Sequence, residues 1–476
     1  MTAPFRFDNT YLRDLPGAWL RETPDVAPAP RLLVLNRGLA EALGLDADAL
    51  QAGAAGWLSG ADSPPGAEPI AMAYAGHQFG GFSPQLGDGR AHLLGEVLGP
   101  DGRRWDLQLK GSGRTPFSRG GDGKAAIGPM LREYVIGEAM HALRVPTTRA
   151  LAVVATGEEI AREVMLPGAV LTRVAASHIR VGTFQFFAAR GDTQAVARLL
   201  DYAIARHYPD LRAGDALGFL DAVAGRQAAL VAQWMGLGFI HGVMNTDNMA
   251  VSGETIDYGP CAFMETYAPG TVFSSIDQTG RYAYANQPLI LGWNLARLAE
   301  TLLPLIDADE DRAVAKAMEV LGGVAGRYRA AWEQVMATKL GLALPDGALA
   351  DDFLAVMEGQ ADWTLAFRRL AKAAAGDEVF LRAQFADSGL LDAWLPRWRA
   401  ALAPDAGARL RAANPIYIPR NHRVEAALAA ATAGDMGPFQ ALMAVLADPF
   451  QERPGYEGYA LPAPQGFGTY RTYCGT

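Results

Sequence analysis

Two short polar motifs, separated by only a few residues, constrain this 476-residue chain more than any other feature of its sequence. The first begins at His241 and reads His-Gly-x-x-x-x-Asp-Asn-Met; the second reads Ile-Asp-Tyr-Gly and ends at Gly259. An amide oxygen from Asn248 and a carboxylate from Asp257, on adjacent backbone segments, could together hold the divalent ions that neutralise nucleotide phosphates. The alternative is a plain polar turn between two strands, because Asn-Thr-Asp-Asn is common turn composition.

The spacing of these motifs is similar to that of the metal-binding motifs of protein kinases, His-Arg-Asp-x-x-x-x-Asn followed by Asp-Phe-Gly. Asn248 stands at the position of the kinase Asn, and Asp257 opens the second motif. The catalytic Asp of a kinase would stand two residues after His241, where this chain has Val243, a side chain that can neither orient nor deprotonate a hydroxyl. An Asp occurs instead at Asp247. The motifs therefore fit either an inactive kinase or an enzyme that carries out different chemistry on a nucleotide.

The composition predicts a globular protein with a large core, since 50% of the residues are hydrophobic and 20% are charged. The formal net charge of −9 argues against general binding to nucleic-acid phosphates. The best candidate for a membrane span, 289–306, contains Arg297 and Glu300, so we expect no membrane partner. The first residues lack a basic region followed by an apolar one, which leaves a cytoplasmic protein as the expectation. The two cysteines are too few for a disulfide scaffold or a structural zinc site.

A glycine-rich stretch contains the candidate phosphate-binding residues. The turn Gly87-Asp88-Gly89-Arg90 precedes a predicted strand over 90–98, and a Gly-x-Gly turn lets backbone N–H groups approach a phosphate closely. A second predicted strand over 105–110 ends at Lys110, which resembles the kinase lysine that contacts phosphates and pairs with a helix Glu. The loop that follows, 111–129, could clamp phosphates, although an ordinary surface loop would look similar. Its charged residues include Arg114, Arg119, Asp122 and Lys124.

A helix predicted over about 125–143 offers Lys110 two possible partners, Glu133 and Glu138. Apolar residues recur at helical spacing along this segment, and the apolar stripe runs closer to Glu138. The pattern of the helix therefore does not select Glu133.

Two arginines follow a pair of predicted strands over 150–154 and 169–171. Arg173 and Arg180 are seven residues apart, so they would share one face if their segment were helical. Two arginines on one face beside a cleft would suit an anionic ligand. Elsewhere, apolar periodicity predicts helices over 33–43, 193–237, 289–305, 311–339, 352–373, 390–402 and 424–446.

Five motifs together resemble the selenoprotein O (YdiU) family. They are YAGHQFGGFSPQLGDGRAHLLGE, LKGSGRTPFSRGGDGKA, TRVAASHIRVGTFQFF, HGVMNTDNM and NPIYIPRNHRVE, and the likeness extends over nearly the whole chain. The resemblance implies an α+β, protein-kinase-like two-lobed fold, with a small β-rich N-lobe, a larger helical C-lobe and helical extensions at both ends. The implied domains are an N-terminal extension (1–60), the N-lobe (61–165), the C-lobe (166–310) and a C-terminal helical region with a cysteine-containing tail (311–476).

The resemblance also implies an activity: transfer of AMP from ATP to Ser, Thr or Tyr hydroxyls of proteins, with Mg²⁺ or Mn²⁺. UMP transfer from UTP is also ascribed to the family. The nucleotide would bind in a flipped orientation relative to kinases, with attack at the α-phosphorus and pyrophosphate leaving. The alternatives are a kinase that transfers the γ-phosphoryl group through Asp247, and an inactive nucleotide-binding scaffold. The expected partners are ATP and protein substrates with hydroxyl side chains.

Roles for individual residues follow from their positions in the family motifs. Asp247 resembles the proton acceptor, and Asn248 and Asp257 resemble the metal ligands. Glu133 resembles the family's helix Glu, a choice that rests on the resemblance and not on the apolar pattern. The residues that resemble the ATP-binding set are Gly87, Gly89, Arg90, Lys110, Asp122, Gly123, Arg173 and Arg180.

The last prediction concerns the two cysteines. Cys474 is the third residue from the end of the chain, where family members carry Cys or selenocysteine. On spacing alone, Cys261 and Cys474 would be two unrelated thiols. The family's reactive terminal residue implies instead that they form a reversible disulfide, which in a cytosolic protein would be redox-sensing.

Overall fold

A computed structural model describes residues 5–473 of the chain, and its architecture is mixed α+β. Its strands are β1 (Trp19–Arg21), β2 (Arg31–Leu35), β3 (Ile70–Met72), β4 (Gly76–Gln78), β5 (Gly81–Ser83), β6 (Ala91–Leu98), β7 (Arg104–Lys110), β8 (Arg149–Ala161), β9 (Met165–Ala175), β10 (Phe239–Ile240) and β11 (Ala262–Phe263). Seven of them form an antiparallel sheet with the order β1-β3-β6-β7-β9-β8-β2. The pairs β4–β5 and β10–β11 form two small separate sheets.

The helices within the described residues account for most of the chain after β9. They are α1 (Thr10–Asp14), α2 (Arg37–Ala42), α3 (Ala47–Trp57), α4 (Ile127–Ala142), α5 (Val181–Ala188), α6 (Thr193–His207), α7 (Ala216–Leu237), α8 (Gln287–Ile306), α9 (Glu310–Gly322), α10 (Val324–Leu340), α11 (Gly347–Met357), α12 (Trp363–Ala373), α13 (Val379–Arg382), α14 (Gly389–Ala401), α15 (Ala406–Ala413), α16 (Asn421–Thr432), α17 (Gly437–Leu446) and α18 (Glu457–Ala460).

The large sheet is covered on both faces, which explains why its strands are apolar runs rather than strict alternations. On one face, Leu131 and Val135 of α4 pack with Val153 of β8. On the other face, Leu39 of α2 packs in a cluster that includes Leu107 of β7. The predicted strands over 90–98 and 105–110 are confirmed as β6 and β7, and the runs over 150–154 and 169–171 lie inside the longer hairpin β8–β9.

The helix predicted over 33–43 is wrong in its first part, because residues 31–35 form strand β2 against β8. A run of Leu and Val beside an open sheet edge gains more from pairing than from local helix formation. Asn36 then starts α2 by accepting a hydrogen bond from the backbone N–H of Leu39 at 3.0 Å. The first 60 residues are therefore not a purely helical extension, since they also supply both edge strands of the sheet.

The helix predicted over 193–237 is two helices, α6 and α7, which are separated by residues 208–215 with the left-handed Gly214. Three long helices predicted in the second half are likewise each interrupted. Gly323 separates α9 from α10, and the left-handed Gly434 lies between α16 and α17. The third, predicted over 352–373, ends as α11 at Met357, and α12 starts after Asp362, whose side chain caps the N–H of Leu365. Apolar periodicity continues across such breaks because both halves face the same core, so it does not show where a helix ends.

One described helical stretch, Tyr284–Ile306, is long and apolar enough to span a membrane by length and composition. In the fold it packs against α5, α7 and α9, and its residues Leu291, Leu295, Leu298 and Leu302 are buried in the main core. This is the environment of a core helix.

Candidate active site

A cleft of about 550 Å³ collects most of the candidate residues from five separate parts of the chain. The glycine turn, the end of β7, the loop over 117–124, the β9–α5 connection and the segment over 243–260 all contribute to its lining. The candidate residues that line it are Gly87, Gly89, Arg90, Lys110, Asp122, Gly123, Arg173, Arg180, Asp247, Asn248 and Asp257. Glu133 lies behind Lys110, and Cys261 is buried in the main core.

The centre of the cleft is an ionic cluster built on the carboxylate of Asp257. Its Oδ1 accepts hydrogen bonds from Lys110 Nζ at 2.6 Å and from Arg173 Nη1 at 2.6 Å. Its Oδ2 accepts one from Arg180 Nη1 at 2.7 Å. The side chains of Lys110, Arg173 and Arg180 are 9%, 3% and 3% exposed, so three nearly buried cations meet at one carboxylate. Such a concentration of positive charge is suited to a polyanionic ligand.

The backbone and the electrostatics of Asp257 are both unusual. Its φ of +65° lies in the left-handed region, which is costly for a residue other than Gly, Asn or Asp. Burial acts to raise the pKa of Asp257, but Arg173, Lys110 and Arg180 outweigh it and hold this pKa well below its ordinary value. The side chain is therefore a permanent anion that keeps the three cations together.

The open choice between Glu133 and Glu138 is decided by partners that are distant in sequence. Glu133 accepts a hydrogen bond from Lys110 Nζ at 2.6 Å and one from Arg173 Nη1 at 3.2 Å. Glu138 faces elsewhere, and accepts from Arg149 Nη2 at 2.6 Å and from Asn36 Nδ2 at 2.7 Å. The helix Glu next to the cleft is thus Glu133.

The two arginines do not share a helical face. Arg173 lies on β9, and Arg180 directly precedes α5, so the chain turns between them and aims both guanidinium groups at Asp257. Arg180 also donates to the backbone oxygen of Asp247 at 2.7 Å, and its guanidinium lies 4.6 Å from the ring centre of Tyr74. The arginines converge as the anionic-ligand hypothesis requires, but by a strand-to-helix turn.

His178 is a component of the site that the sequence analysis missed. Arg173 Nε donates to His178 Nε2 at 3.2 Å, and His178 Nδ1 contacts Asp106 Oδ2 at 2.9 Å. Burial lowers the pKa of His178 to about 4, with Asp106 acting against this change. The ring is therefore neutral at pH 7, with its proton on Nδ1 toward Asp106 and Nε2 free to accept from Arg173. No sequence signal links these three residues, since they lie on β7, β9 and the following turn.

Asp247 lies on a short 3₁₀ turn, Thr246–Asn248, under the β4–β5 hairpin. Its Oδ2 accepts a hydrogen bond from Gln78 Nε2 at 3.2 Å, whereas its Oδ1 is buried and has no hydrogen-bond partner in the described structure. Burial raises the pKa of Asp247 to about 6, and Arg180 opposes that rise. An unpartnered carboxylate oxygen in a cleft can accept a proton or bind a cation. Gln78 was also missed, although the glycine-rich motif around it was noted.

Oxygen donors for a cation occur at one side of the cleft. The amide of Asn248 donates its Nδ2–H to the backbone oxygen of Val243 at 2.9 Å, which leaves its oxygen as the donor atom for a metal. Asp257 and the unpartnered Oδ1 of Asp247 add carboxylate oxygens. Among residues 5–473, no three His, Cys, Asp or Glu side chains group closely enough to hold a metal alone. This donor set fits a Mg²⁺-type ion that takes one or two carboxylates and completes its shell with phosphate oxygens.

The glycines of the cleft are required by close packing of the loop over 111–124. A Cβ on Gly87 would overlap the ring of Phe117, and a Cβ on Gly89 would lie 2.8 Å from the backbone oxygen of Phe117. Thr115 Oγ1 donates to the backbone oxygen of Asp88 at 2.7 Å, which fixes the loop on the turn. Asp122 is held by Arg162 Nη1 at 2.7 Å. The loop is therefore anchored over the turn rather than free.

The predicted disulfide cannot be followed to its second cysteine, because Cys474 lies outside the described residues. Cys261 is buried, and its backbone oxygen accepts a hydrogen bond from Arg132 Nη2 at 2.7 Å. In the C-terminal segment, the hydroxyl of Thr472 donates a hydrogen bond to the backbone oxygen of Pro260 at 2.7 Å. The tail thus runs beside the Asp-Tyr-Gly segment, and the cysteine pairing stays a prediction.

Comparison with known proteins gives consistent similarities over almost the entire chain. A family model described as protein adenylyltransferase SelO matches residues 11–447. A protein nucleotidyltransferase YdiU from Cereibacter sphaeroides (strain KD131) is 66% identical over 480 residues, which cover 99% of this chain and 100% of that protein. Proteins of the same description from Mycobacterium sp. (strain KMS) and Rhodopseudomonas palustris (strain BisB5) are 58% and 57% identical, over 98% and 100% of this chain and 99% and 100% of those proteins. The matched region contains every residue of the cleft.

Proposed function

The chain belongs to the SelO family of protein adenylyltransferases, and from this premise we propose that its cleft binds ATP and transfers AMP to hydroxyl side chains of proteins through the residues described above. The observation that carries the assignment of the cleft is the cluster on Asp257. Three nearly buried cations converge on one carboxylate, and Glu133 is a second carboxylate that contacts Lys110 and Arg173. A triphosphate entering the cleft would meet these three cations together.

Nucleotide binding in this cleft would place the outer phosphates deepest. Lys110, Arg173 and Arg180 hold the β- and γ-phosphates, in the flipped orientation that the family resemblance implies. The anchored loop over 111–124 then covers the nucleotide from the side of Gly87 and Gly89. In this arrangement the α-phosphate faces Asp247, which lies next to Arg180 at one side of the ionic cluster. The bond to the α-phosphorus breaks, and the pyrophosphate formed is still held by the cations.

Asp247 is the proton acceptor in this proposal. With a pKa of about 6 it is largely ionised at pH 7, and yet basic enough to take a proton from a hydroxyl that attacks the α-phosphorus. Gln78 fixes one carboxylate oxygen, and the other has no hydrogen-bond partner among the described residues. Val243 occupies the position of the kinase base and also lines the cleft, so no side chain at that position can deprotonate a hydroxyl.

Asn248 and Asp257 would hold a divalent ion, Mg²⁺ or Mn²⁺, together with phosphate oxygens. When bound, such an ion neutralises charge on the triphosphate and on departing pyrophosphate. UTP is the alternative nucleotide, since the ionic cluster contacts only groups that ATP and UTP share.

We extend the proposal to the architecture and the setting. A small lobe over 61–165 and a helical lobe over 166–310, flanked by the segments 1–60 and 311–476, would give the kinase-like arrangement. The antiparallel sheet, with α4 on one face and Lys110 paired to Glu133, supports it. The setting would be the cytoplasm, where ATP and acceptor proteins are available.

The decisive experiment follows the label from ATP into protein. We expect transfer from α-labelled ATP and no transfer from γ-labelled ATP. Transfer from the γ label would instead indicate a kinase acting through Asp247, and transfer from neither label would favour a nucleotide-binding scaffold. Asp247→Asn should abolish transfer while ATP binding, measured by calorimetry, stays within about threefold of wild type. Glu254→Gln is the matched control, because Glu254 is another carboxylate whose pKa burial raises, to about 7, but it lies outside the cleft.

A further inference from the structure

An exposed patch of aromatic and cationic side chains lies beside Asp247 and outside the nucleotide cleft. We call it the hairpin patch. The β4–β5 hairpin, the loop that contains Arg281 and helix α8 contribute its residues, which are Phe79, Phe82, Arg281, Trp293 and Arg297. Phe79 and Phe82 are 38% and 43% exposed, an unusual cost for two neighbouring aromatic side chains on a protein surface.

Ring contacts join these side chains into one continuous surface. His77 is the hub, with its ring centre 4.8 Å from that of Phe82 and 5.2 Å from that of Trp293. Phe79 contacts Tyr282 at 5.1 Å between ring centres, and the guanidinium of Arg281 lies 5.7 Å from the ring centre of Tyr282 and 4.8 Å from that of Trp293. The apolar groups therefore form a single surface and are not scattered positions.

The hairpin patch is held in fixed register with the proposed proton acceptor. Three successive residues of the turn that contains Asp247 are each bonded to a hairpin residue. The backbone N–H of Phe79 donates to Asn245 Oδ1 at 3.1 Å, and that of His77 donates to Thr246 Oγ1 at 2.7 Å. Gln78 Nε2 donates to Asp247 Oδ2 at 3.2 Å. A segment bound to the patch would thus be positioned relative to the carboxylate that must receive its proton.

The patch also carries positive charge. The guanidinium groups of Arg281 and Arg297 lie 4.8 Å and 5.2 Å from the ring centre of Trp293. Burial first, and then these two guanidiniums, lower the pKa of His77. Arg297 Nη2 already pairs with Glu300 Oε1 at 2.6 Å, so Arg281 is the guanidinium whose N–H edge the patch offers to a carboxylate. Although the chain as a whole has a net charge of −9, this local cation favours an acidic segment over a basic one at the patch.

We propose that the hairpin patch docks the acceptor protein, by binding a short segment that has a large apolar or aromatic residue and a carboxylate near the target hydroxyl. This proposal rests on the proposed function, because it names the substrate class for the same site. The exposed rings bind the apolar residue, Arg281 pairs with the carboxylate, and the hairpin sets the distance from both to Asp247. The surface thus adds a sequence preference to a reaction that needs only a hydroxyl.

The test uses synthetic peptides that contain one Tyr acceptor, one Leu, and Glu, Ala or Lys scanned through the positions on either side of the Tyr. We expect the wild-type enzyme to prefer Glu over Lys at one or two positions by about tenfold in kcat/KM, mostly through KM for the peptide. Arg281→Glu should reverse this preference, so that the Lys peptide becomes the better substrate. Phe79→Ser/Phe82→Ser should lower kcat/KM for every peptide that contains the Leu by roughly fivefold, with KM for ATP unchanged.

Two matched controls lie on a remote surface. Arg409→Glu reverses another half-exposed arginine, and Leu390→Ser removes another exposed apolar side chain, and both should keep the wild-type preference. Arg281→Gln provides a neutral variant if charge reversal prevents folding, and it should abolish the preference without reversing it. Equal rates for Glu and Lys peptides at every position in the wild type would overturn the proposal. A preference that survives in both Arg281 variants, or that is lost in Arg409→Glu, would also overturn it.

Direct binding separates this proposal from the proposed function. Fluorescence polarisation of the same labelled peptides, with a non-hydrolysable ATP analogue present, reports docking without any transfer. Selective binding of the Glu peptide without AMP transfer would support the docking surface and count against the adenylyltransfer assignment. Transfer without any difference in binding or rate between the peptides would uphold that assignment and remove the docking surface.

Discussion

Arg173 donates its Nε–H to Nε2 of His178 over 3.2 Å, and this single contact orients one of the three cations of the cleft. The guanidinium is planar, so fixing its Nε edge also fixes the direction of the two terminal nitrogens. One of them then contacts Asp257, and the other donates to Gln108 Oε1 at 2.6 Å. The neutral histidine is thus a positioning residue for phosphate binding.

Replacing His178 should weaken ATP binding more than it slows the bound enzyme. We expect His178→Phe to raise KM for ATP about tenfold, since a hydrogen bond to a charged group is lost, with a smaller change in kcat. His178→Gln, which restores an acceptor, should recover part of that loss. His207→Phe is the control, because His207 is also buried but its Nε2 contacts Ser177 Oγ. Steady-state kinetics with varied ATP tests this, and equal effects of His178→Phe and His207→Phe would contradict it.

Asp257→Asn should destabilise the protein without nucleotide and abolish transfer. The substitution leaves Lys110, Arg173 and Arg180 with one anion fewer, and breaking a buried ion pair costs about 3–5 kcal/mol. ATP should restore much of this loss, so the ATP-dependent rise in Tm should be larger in the variant than in the wild type. Asp351→Asn is the control, because Asp351 pairs with Arg329 at the surface and outside the cleft, where the expected cost is below about 1 kcal/mol. The comparison is made with ATP in EDTA, so that loss of a proposed metal ligand does not contribute, and a smaller ATP-dependent rise in Asp257→Asn would then show that the cations do not bind phosphates.

Two glycines of the same loop should differ sharply in their tolerance of alanine. Gly123 has a φ of +70°, and a Cβ there would overlap the backbone oxygen of Gly113. Gly120 has a φ of +87°, but a Cβ there meets nothing within 4 Å. Gly120→Ala should therefore cost about 1–2 kcal/mol of backbone strain alone, whereas Gly123→Ala should also lower ATP affinity more than tenfold. Thermal unfolding and calorimetric titration with ATP measure the two effects, and matching ATP affinities would refute the packing argument.

Lys339 should make stability rise with pH in the alkaline range. Its Nζ donates to Asn414 Oδ1 at 2.8 Å, and burial lowers its pKa to about 7. In the unfolded chain the ordinary pKa is about 10.4, so between pH 7 and 10 the unfolded state binds more protons than the folded state. The free energy of unfolding should therefore increase by up to roughly 1.4 kcal/mol per pH unit from this residue.

Lys339→Met removes that slope, and the pH series of chemical denaturation compares it with wild type. The wild type should gain stability as pH rises from 7 to 10, so the free energy of unfolding of the variant should fall further below that of the wild type. Lys316→Met is the control, since Lys316 is largely exposed and pairs with Asp307 at 2.7 Å. Parallel pH profiles for wild type and Lys339→Met would contradict the assignment of a lowered pKa.

The sequence contained most of the candidate site, because the residues of the cleft sit in short motifs with recognisable spacing. Asn248 and Asp257 were predicted from the motif pattern, and Lys110 from the end of an alternating strand. The apolar pattern could not show whether Glu133 or Glu138 pairs with Lys110. That choice depends on Asn36 and Arg149, which are distant in sequence and hydrogen-bond to Glu138. Contacts between segments that are distant in sequence decide which carboxylate faces the cleft, and a local sequence pattern carries no information about those contacts.

The residues that support the site were harder to predict. Asp106 and His178 meet only because β7 lies next to β9 in the sheet, and Gln78 reaches Asp247 only because a small hairpin folds over a turn far along the chain. For the same reason the spacing of the arginines offered a shared face only if their segment were helical, whereas a strand and the start of a helix bring them together. Apolar periodicity predicted the helices of the second half of the chain but not the points where they are interrupted. Those points depend on capping by residues such as Asp362.

The two outer strands of the large sheet set an order of events during synthesis. β1 and β2 leave the ribosome first, yet β2 pairs with β8, whose partner residue for Leu32 is Val154. About 120 residues must be translated in between, which at roughly 5–20 residues per second takes about 6–24 s. Throughout that interval β2, which will form one edge of the sheet, has no partner strand and can be bound by chaperones or by a neighbouring nascent chain. At three and five residues, β1 and β2 are short enough to limit that exposure.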